Sequence, residues 1–336
     1  MNIGIVNDLP LAVEAMRRVI ALRPEHRILW VAFDGAQAVD FCAAQPPDIV
    51  LMDLVMPKFD GVEATRRIMS SDTPCAILVV TSSVGANAWR VYEAMGAGAL
   101  DAVDTPRLAE GLLGDTSQAL LAKIDQIGRL LEKSAPAVTQ AATAAHNGGL
   151  PLVAIGASAG GPSALATLLR GLPADFGAAI VIVQHVDKAF AEGMAQWLDS
   201  QTPLPVRIAL AGERPQPGVA LLAGTNDHLR LTRVGLLDYT RDPADTPYRP
   251  SVDVFFSSVT EHWRGDVIGV LLTGMGRDGA IGLKAMKMKG FHTIAQDEAT
   301  SAVYGMPKAA AALGAARMIL PLDSIAGELK ARLCCR

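Results

Sequence analysis

The sequence is poor in aromatic residues, and its charges nearly cancel. Aromatic side chains make up 5% of the 336 residues, and 30 Lys and Arg stand against 34 Asp and Glu, which gives a formal net charge of −4. A chain without excess positive charge is not expected to bind nucleic acid through a large phosphate-binding surface. With 50% hydrophobic and 19% charged residues, the chain is also too apolar to be disordered.

Cysteines are few, and long apolar runs are absent. The longest uncharged stretch, Ser134–Leu169, contains Gly, Pro and polar residues, so it lacks the roughly 18 consecutive apolar residues of a membrane helix. Met1–Val6 already has a strand pattern, so no signal peptide is expected. The cysteines show no CxxC spacing, which is typical of reduced cytosolic thiols; they are Cys42, Cys75, Cys334 and Cys335. We therefore expect a cytoplasmic protein without membrane insertion.

Two regions of alternating β and α patterns flank a segment of different composition. Five β-like runs alternate with helical patterns over residues 1–108, and the alternation resumes over residues 150–336, which predicts two doubly wound α/β domains. Residues 109–149 are predicted to connect them, with an amphipathic helix over Gly114–Lys133 and a flexible tether over Ser134–Gly149. The predicted strands are Asn2–Val6, Arg27–Ala32, Asp48–Met52, Ala76–Val80, Ala99–Val103, Leu152–Gly156, Ala179–Gln184, Val206–Ala209, Val219–Ala223, Val267–Thr273 and His292–Ala295, with a hairpin formed by Leu229–Thr232 and Leu236–Thr240.

Polar residues follow three of the strands predicted in the first domain. Asn7 and Asp8 follow the first strand, Asp53 the third and Thr81 the fourth. Ligands collect beyond the carboxyl ends of parallel strands, and two carboxylates suit Mg²⁺, which prefers oxygen ligands. The metal would offset the charge of a phosphoryl group on Asp53, and the Thr81 hydroxyl would donate to a phosphoryl oxygen. Solvated strand-end residues are the alternative interpretation.

Residues 1 to about 108 resemble the response-regulator receiver domains, which have a flavodoxin-like, five-stranded parallel sheet. The stretch LMDLVMPKFDG (Leu51–Gly61) matches the phosphoacceptor segment of that family. The resemblance implies that a sensor histidine kinase phosphorylates Asp53 and that Asp8 and Asp53 bind Mg²⁺. Three positions depart from the family pattern: Asn7 replaces a first acid, Ala102 an aromatic switch residue and Thr105 a lysine. These departures imply a weaker metal site and the loss of a cation that would pair with the phosphoryl group.

A glycine-rich turn in the second domain carries a serine. The stretch GASAG (Gly156–Gly160) fits G-x-S-x-G, in which flanking glycines expose Ser158 on a sharp strand-to-helix turn. Backbone N–H groups at the start of the following helix, next to Ala159, would favour an oxyanion. A plain turn and a nucleotide site are alternatives. G-x-G-x-x-G is not present, but Asp187 lies roughly where a ribose-binding acid would be.

Two further residues at strand ends extend this pattern. His185 ends the next strand and is a candidate general base for Ser158. Asp278 lies in the stretch GMGRDG (Gly274–Gly279) after a later strand, where it would hold His185 in one tautomer. Each residue alone is weak evidence, but together they predict a serine hydrolase. Their order in the chain differs from that of the α/β-hydrolases, so a different sheet topology is expected.

Residues 150–336 resemble the catalytic domain of the chemotaxis protein-glutamate methylesterases, the CheB family. The matching segments are IGASAGG (155–161), VIVQH (181–185), RPSVDVFF (249–256), GVLLTGMGRDGA (269–280), AQDEAT (295–300) and YGMP (304–307). Receiver, linker and esterase also occur in the order of that family. The resemblance implies Ser158 as nucleophile, His185 as base and Asp278 as the residue that orients it. It also implies the backbone N–H of Met275 as an oxyanion donor.

The same resemblance implies a function. The enzyme would hydrolyse glutamate γ-methyl esters on the cytoplasmic domain of methyl-accepting chemoreceptors, with glutamine deamidation as a second activity, in a chemosensory or surface-sensing pathway. Hydrolysis would need no cofactor, and Mg²⁺ would belong to the receiver. Phosphorylation of Asp53 would loosen a cover over the esterase cleft. A nucleotide-binding second domain and a protein that acts by docking, with an unphosphorylated receiver, are the other hypotheses.

Overall fold

The chain folds into two compact units, Met1–Ala135 and Pro136–Arg336. The structure is a computed structural model that describes residues 1–71, 73–82, 84, 87–107, 114–131, 149–246 and 248–333. Each unit contains a parallel sheet accompanied by helices, so the α/β class predicted for both domains is confirmed. The tether is predicted over Ser134–Gly149; its residues 134–148 lie outside the described residues, and only Gly149 is described.

The first unit is built on a five-stranded parallel sheet. Its strands and helices are β1 (Asn2–Val6), α1 (Pro10–Ile20), β2 (Arg27–Ala32), α2 (Gly35–Ala44), β3 (Ile49–Met52), α3 (Gly61–Met69), β4 (Ala76–Thr81), α4 (Ala88–Gly96), β5 (Asp101–Asp104) and α5 (Asp115–Leu131). The strand order is β2-β1-β3-β4-β5, and all neighbouring strands are parallel. The chain leaves β1 on one side and returns to β3 on the other, so a crevice opens beyond the carboxyl ends of these two strands.

Helix α5 belongs to the first unit. Its apolar stripe is buried in the same core as strands β1, β3, β4 and β5; the buried residues of the stripe are Leu120, Leu121, Ile124 and Ile127. On the same helix, Asp125 accepts a hydrogen bond from His26, with 3.1 Å between Oδ1 and Nε2. The first unit therefore extends beyond residue 108, and the amphipathic helix predicted in the connecting segment packs on the sheet.

Strand β5 begins two residues later than predicted. Ala99, the predicted first residue, donates its N–H to the carbonyl of Ala94 at 2.9 Å and so closes the C-terminus of α4. Gly98 precedes it with φ +117°, a conformation that glycine adopts without steric cost. Gly98 and Ala99 therefore belong to the C-terminal cap of α4, and the pairing of β5 with β4 begins at Asp101.

The second unit contains a seven-stranded parallel sheet and a separate antiparallel hairpin. Its elements are β6 (Leu152–Ala157), α6 (Gly161–Arg170), β7 (Ala179–Gln184), α7 (Lys188–Gln201), β8 (Val206–Ile208), β9 (Ala220–Leu222), β10 (His228–Leu231), β11 (Leu237–Thr240), α8 (Val252–His262), β12 (Val267–Leu271), α9 (Ala280–Met288), β13 (His292–Gln296), α10 (Met306–Ala312), β14 (Met318–Leu320) and α11 (Leu322–Leu333). Strands β10 and β11 form the hairpin, and the order of the large sheet is β14-β13-β12-β6-β7-β9-β8.

The large sheet also has a switch point, which lies between β6 and β12. From β6 the chain continues to β7 on one side, and it later enters β12 on the other side. A crevice is expected beyond the carboxyl ends of this pair of strands. Every strand predicted for this unit overlaps an observed one, whereas the three-residue edge strand β14 was not predicted. No helix in the described parts of the chain is both long and apolar enough to span a membrane.

Candidate functional site

Ser158 and His185 follow neighbouring strands of the large sheet at the same level. Ala157, the last residue of β6, pairs with Gln184, the last residue of β7. The N–H of His185 donates to the carbonyl of Ala157 at 3.1 Å, and the N–H of Ser158 donates to the carbonyl of Thr273 at 3.0 Å. Ser158 is therefore joined on one side to the end of β12 and lies at the switch point, with His185 beside it.

Hydrogen bonds fix the backbone of Ser158. Its carbonyl accepts from the N–H of Gly161 at 2.7 Å and from Nε2 of Gln184 at 2.8 Å. Gly160, which precedes α6, has φ +73°, and a Cβ at this position would lie 2.5 Å from Cβ of Ala302. Only glycine fits this turn without strain, and the turn leaves Ser158 half-buried at the start of a helix.

His185 is hydrogen-bonded to Asp278 through one ring nitrogen. Nε2 of His185 lies 2.7 Å from Oδ2 of Asp278, and the side chains are 12% and 5% exposed. A proton on Nε2 that is donated to the carboxylate leaves Nδ1 as the basic nitrogen, and Nδ1 is buried without a partner among the described residues. Among the described residues, Ser158 Oγ forms no hydrogen bond to His185. The structure thus joins His185 to Asp278 and places Ser158 on the adjacent strand end.

The carboxylate of Asp278 sits on the N-terminus of α8. It accepts hydrogen bonds from Ser251 Oγ at 2.8 Å and from the N–H groups of Val252 at 2.7 Å and Asp253 at 3.1 Å. Burial alone would raise the pKa of Asp278, but the hydrogen bond and charge of His185 and the N–H groups of α8 hold it below its usual range. Asp278 is therefore an anion that is held in place from both sides.

Two residues behind this carboxylate were not assigned a role from the sequence. Ser251 begins α8 as its N-cap, since its Oγ accepts from the N–H of Val254. The N–H of Ser251 donates to Nδ1 of His228, and Nε2 of His228, which is fully buried, donates to the carbonyl of Pro243 at 3.1 Å. A serine directly before the apolar stretch VDVFF is a helix-start signal that points to Ser251. No sequence signal links His228 to Asp278.

Backbone N–H groups lie next to the serine. Within the described chain, the N–H groups of Ala159 and Met275 donate to no acceptor, and both residues are half-buried. A Cβ on Gly274 would lie 2.8 Å from Cβ of Ser158, so the backbone after β12 runs directly beside the serine. The carbonyl of Gly274 accepts from the N–H of Met306 at 2.8 Å. In a trans peptide this directs the N–H of Met275 to the opposite side.

Asp187, the ribose-binding candidate, is engaged within the protein. It is the N-cap of α7, and its Oδ1 accepts from the N–H of Ala189 at 2.9 Å. Its other oxygen accepts from Nδ2 of Asn226 at 2.8 Å. Both carboxylate oxygens therefore have partners, and the residue acts as a helix cap.

Asp53 lies in the crevice of the first unit, at the end of β3. It is 8% exposed, and its Oδ2 accepts from Nδ2 of Asn7 at 3.0 Å. The pKa of Asp53 is raised to about 6, chiefly by burial and also by the negative charge of Asp8, although the N–H groups of Leu54 and Val55 act in the opposite direction. Two neighbouring carboxylates with this excess of negative charge are a donor set that suits a hard divalent cation.

Thr81 ends β4, the strand next to β3. The pairing of Met52 with Val79 brings the ends of these strands to nearly the same level. Oγ1 of Thr81 accepts from Nδ2 of Asn87 at 3.0 Å, which leaves its own proton available to a ligand.

The three positions that depart from the receiver pattern have distinct surroundings. Asn7 is buried and donates to Asp53, so an amide stands where an acid was expected. Ala102 is half-buried in β5, and the N–H of Thr105 donates to the carbonyl of Thr81 at 2.8 Å. Among the described ion pairs, none involves Asp53, and the ammonium of Lys58 bonds to Asp34 instead.

Comparisons with known families match both units. The model of the CheB methylesterase family matches residues 153–329, and the model of the response regulator receiver domain matches residues 3–113.

Two relatives match the chain over nearly its whole length. The chain is 80% identical over 332 residues to protein-glutamate methylesterase/protein-glutamine glutaminase 1 of Burkholderia lata, which covers 98% of this chain and 99% of the relative. It is 78% identical over 332 residues to protein-glutamate methylesterase/protein-glutamine glutaminase 2 of Burkholderia orbicola, with 98% and 99% covered. The crystal structure of the Thermotoga maritima CheB methylesterase catalytic domain is 35% identical, with a TM-score of 0.52, and covers 55% of this chain and 99% of that domain.

Proposed function

The chain belongs to the CheB methylesterase family, and on that premise we propose that it hydrolyses glutamate γ-methyl esters on the cytoplasmic domain of methyl-accepting chemoreceptors. Hydrolysis of the corresponding glutamine amide is a second activity of the same site. The observation that carries the proposal is the His185–Asp278 pair, held by α8, beside a serine on a glycine-rich turn at the switch point of the sheet.

The first half of the reaction transfers the acyl group to the enzyme. Ser158 Oγ attacks the ester carbonyl, and Nδ1 of His185 takes the hydroxyl proton. Asp278 accepts the hydrogen bond from Nε2 and stabilises the imidazolium that forms. The unpaired N–H groups of Ala159 and Met275 donate to the developing oxyanion. The imidazolium then protonates the leaving oxygen, and methanol departs.

The second half restores the enzyme. Water attacks the glutamyl ester of Ser158, and His185, now neutral, accepts a proton from the water. The imidazolium returns this proton to Ser158 Oγ, and the receptor glutamate leaves as a carboxylic acid that ionises in solution. With a glutamine side chain, the first step releases ammonia in place of methanol. No cofactor takes part in this hydrolysis.

The first unit supplies regulation. We propose that a sensor histidine kinase is the phosphoryl donor for Asp53, which accepts the group while Thr81 donates to a phosphoryl oxygen. Asp8 and Asp53 would hold Mg²⁺, and the ion would neutralise charge on the phosphoryl group. The amide of Asn7 contributes a hydrogen bond but no charge, so we expect the ion to be held less tightly than by three acids.

Phosphorylation would control the access of the receptor to the esterase cleft. The receiver family match and the resemblance of the whole chain support this regulation. A change from 1% to 99% accessible enzyme requires about 5.5 kcal/mol of differential stability between the two states. The reaction takes place in the cytoplasm, where the helical bundle of the receptor lies.

Methanol release from a methylated chemoreceptor, with and without a phosphoryl donor, tests the proposal. Wild-type protein is expected to release methanol, and Ser158→Ala is expected to lose at least about 10³-fold in rate, because the acyl-enzyme can no longer form. Ser324→Ala, an exposed serine on α11, is the matched control and should remain fully active. Undiminished release by Ser158→Ala would reject Ser158 as the nucleophile.

A further inference from the structure

We propose that Tyr248 is a positioning residue for this reaction, because its ring holds the imidazole of His185 in the one orientation that serves both neighbours. In that orientation Nε2 donates to Asp278, and Nδ1 remains free for the proton of Ser158. The inference rests on the proposed function, but part of its test does not depend on activity.

The rings of Tyr248 and His185 are stacked. Their centroids lie 4.5 Å apart, and the interplanar angle is 3°. Tyr248 therefore stacks on one face of the imidazole, and rotation of the His185 ring out of its plane would break this contact. The side chain of Asp278 restrains only the edge of the ring at Nε2. The stack supplies the restraint perpendicular to that hydrogen bond.

Gly276 provides the space in which the tyrosine lies. It has φ +77°, and a Cβ at this position would lie 2.6 Å from the Tyr248 hydroxyl oxygen. The loop after β12 thus supports the far end of the tyrosine ring, while its near face meets His185. Because Met275 directly precedes Gly276, the tyrosine hydroxyl lies against the loop that carries the N–H group we assign to the oxyanion.

The segment that carries Tyr248 is anchored by a buried histidine; its described residues, 241–246 and 248–250, are here called the Tyr248 loop. His228 donates to the carbonyl of Pro243 near one end of this loop and accepts from the N–H of Ser251 just beyond the other end. Inside the loop, the guanidinium of Arg249 donates to the carbonyl of Ala244, and Thr246 Oγ1 donates to the carbonyl of Pro243 at 2.9 Å. The tyrosine is therefore presented to His185 from a closed loop.

The anchor links the loop to the catalytic carboxylate. Ser251, which bonds to His228 through its backbone, bonds to Asp278 through its hydroxyl. One serine thus fixes the end of the loop and one oxygen of the carboxylate. Tyr248 and Asp278 approach His185 from two directions while sharing this support, which is the arrangement that preorganised catalysis requires.

The test compares two substitutions in the full-length protein. Tyr248→Leu removes the aromatic face, and Tyr248→Phe retains the ring and removes only the hydroxyl. Nitrogen NMR of ring-labelled histidine reports the tautomer at a pH where the imidazole is neutral, and the signals of His185 are identified by their loss in His185→Gln. We expect one tautomer, protonated at Nε2, in wild type and Tyr248→Phe, and averaged shifts in Tyr248→Leu. A fixed Nε2–H tautomer in Tyr248→Leu would overturn the proposal.

The kinetic arm separates positioning from other roles. Tyr248→Leu should lower kcat about tenfold with little change in KM, and Tyr248→Phe should stay within about twofold of wild type. An equal loss in Tyr248→Phe would mean that the hydroxyl acts, and a rise in KM at constant kcat would mean that the tyrosine contacts substrate; either result overturns the proposal. If the wild type releases no methanol, the proposed function fails, while the NMR comparison still decides the positioning.

Both variants are expected to fold, because Tyr248 is half-buried and lies outside the main cluster of buried apolar residues in the second unit. Thermal unfolding of the full chain checks this. Should Tyr248→Leu not fold, Tyr248→Met replaces it with the same expected results, because a flexible thioether also lacks the flat face.

Discussion

Asp278 accepts a hydrogen bond from His185 on one carboxylate oxygen and from Ser251 on the other. Oδ2 accepts from Nε2 of His185 at 2.7 Å and from the N–H of Val252, and Oδ1 accepts from Ser251 Oγ and the N–H of Asp253. Four donors converge on one buried carboxylate, two of them from the first turn of α8, where the helix dipole favours negative charge. This environment keeps the carboxylate ionised and its plane fixed, so an acceptor for one ring nitrogen of His185 is in place before substrate arrives.

Asp278→Asn is expected to remove activity and stability together. Each carboxylate oxygen meets a backbone N–H, so the amide NH₂ of asparagine must face a donor in either orientation. We expect kcat to fall about 10⁴-fold and the free energy of unfolding to fall by about 3 kcal/mol. Methanol release and denaturant unfolding measure the two effects.

The matched control for this substitution is Asp175→Asn, which changes an exposed carboxylate in the same unit. It should alter neither quantity. An Asp278→Asn enzyme with more than a tenth of wild-type activity would show that His185 does not need the carboxylate.

Gly160→Ala is expected to distort the nucleophile turn. The residue has φ +73°, and the added methyl would lie 2.5 Å from Cβ of Ala302. Strain in the left-handed region together with the clash should cost about 2 kcal/mol or more, and the displaced Ser158 should lose most of its rate. Thermal unfolding and methanol release measure both.

Gly327→Ala is the counterpart of this experiment. Gly327 lies on α11, and an added methyl there would meet nothing within 4 Å. Because alanine is the better helix former, this variant should be equally stable or more stable by up to about 1 kcal/mol. If the two alanine variants had equal midpoints, the strain argument for the turn would be refuted.

Asp53→Asn is expected to abolish phosphoryl incorporation and the activation that follows from it. Asparagine cannot form the acyl phosphate, whereas basal hydrolysis depends on the second unit and should persist. Asp40→Asn, an exposed carboxylate on α2, should be phosphorylated normally. Incubation with a labelled small acyl phosphate and Mg²⁺, followed by intact mass, gives the stoichiometry. Absence of incorporation in wild type would favour the docking hypothesis.

Removal of the divalent cation should separate the two chemistries. Chelation is expected to prevent phosphorylation of Asp53, since the cation offsets the charge of the incoming phosphoryl group. Methanol release without a phosphoryl donor should be unchanged, because the residues around Ser158 carry out hydrolysis alone. A parallel loss of both activities would contradict this division.

His292 is expected to make the second unit sensitive to mild acid. Burial lowers the pKa of His292 to about 4, and the charges of Arg332 and Arg317 lower it as well, whereas Glu328 opposes them. The unfolded chain titrates near pH 6.5. The unfolded state therefore binds more protons between these values, and stability falls as the pH drops from about 6.5 to about 4.

The size of this effect is about 2 kcal/mol, allowing for solvent around a partly accessible site. Denaturant titrations of wild type and His292→Asn over this pH range measure it. The free-energy difference between the two proteins should change in favour of the variant as the pH falls. A constant difference would show that His292 is not held neutral in the folded protein.

The sequence was sufficient to find the residues at strand ends. Ser158 and Asp53 could be predicted because strands with helix-forming connections place the ends of parallel strands at one edge. The predicted order of parallel strands was not sufficient to predict which side chains hydrogen-bond to these residues. Ser251 reaches Asp278 and Asn7 reaches Asp53 across 27 and 46 positions of the chain. Such pairs depend on the conformations of the loops, which neither the hydrophobic periodicity nor the spacing of motifs predicts.

The position of α5 shows a similar limit. Its apolar stripe predicted an amphipathic helix, but the partner of the stripe is a sheet whose last strand ends at Asp104. An apolar stripe predicts that one face of a helix is buried, but it does not identify the element against which that face packs. The same holds for Tyr248, whose contact with His185 spans 63 positions of the chain.

The side-chain amide of Gln184 grips the carbonyl of Ser158, and Gln184 is the immediate neighbour of His185. This hydrogen bond couples the backbone of the nucleophile to the end of the strand that carries the base, so Ser158 and His185 cannot move apart without breaking it. We therefore expect the distance between Ser158 and His185 to change little when the enzyme is regulated. In the regulation proposed above, phosphorylation would then act by changing the access of substrate to this site.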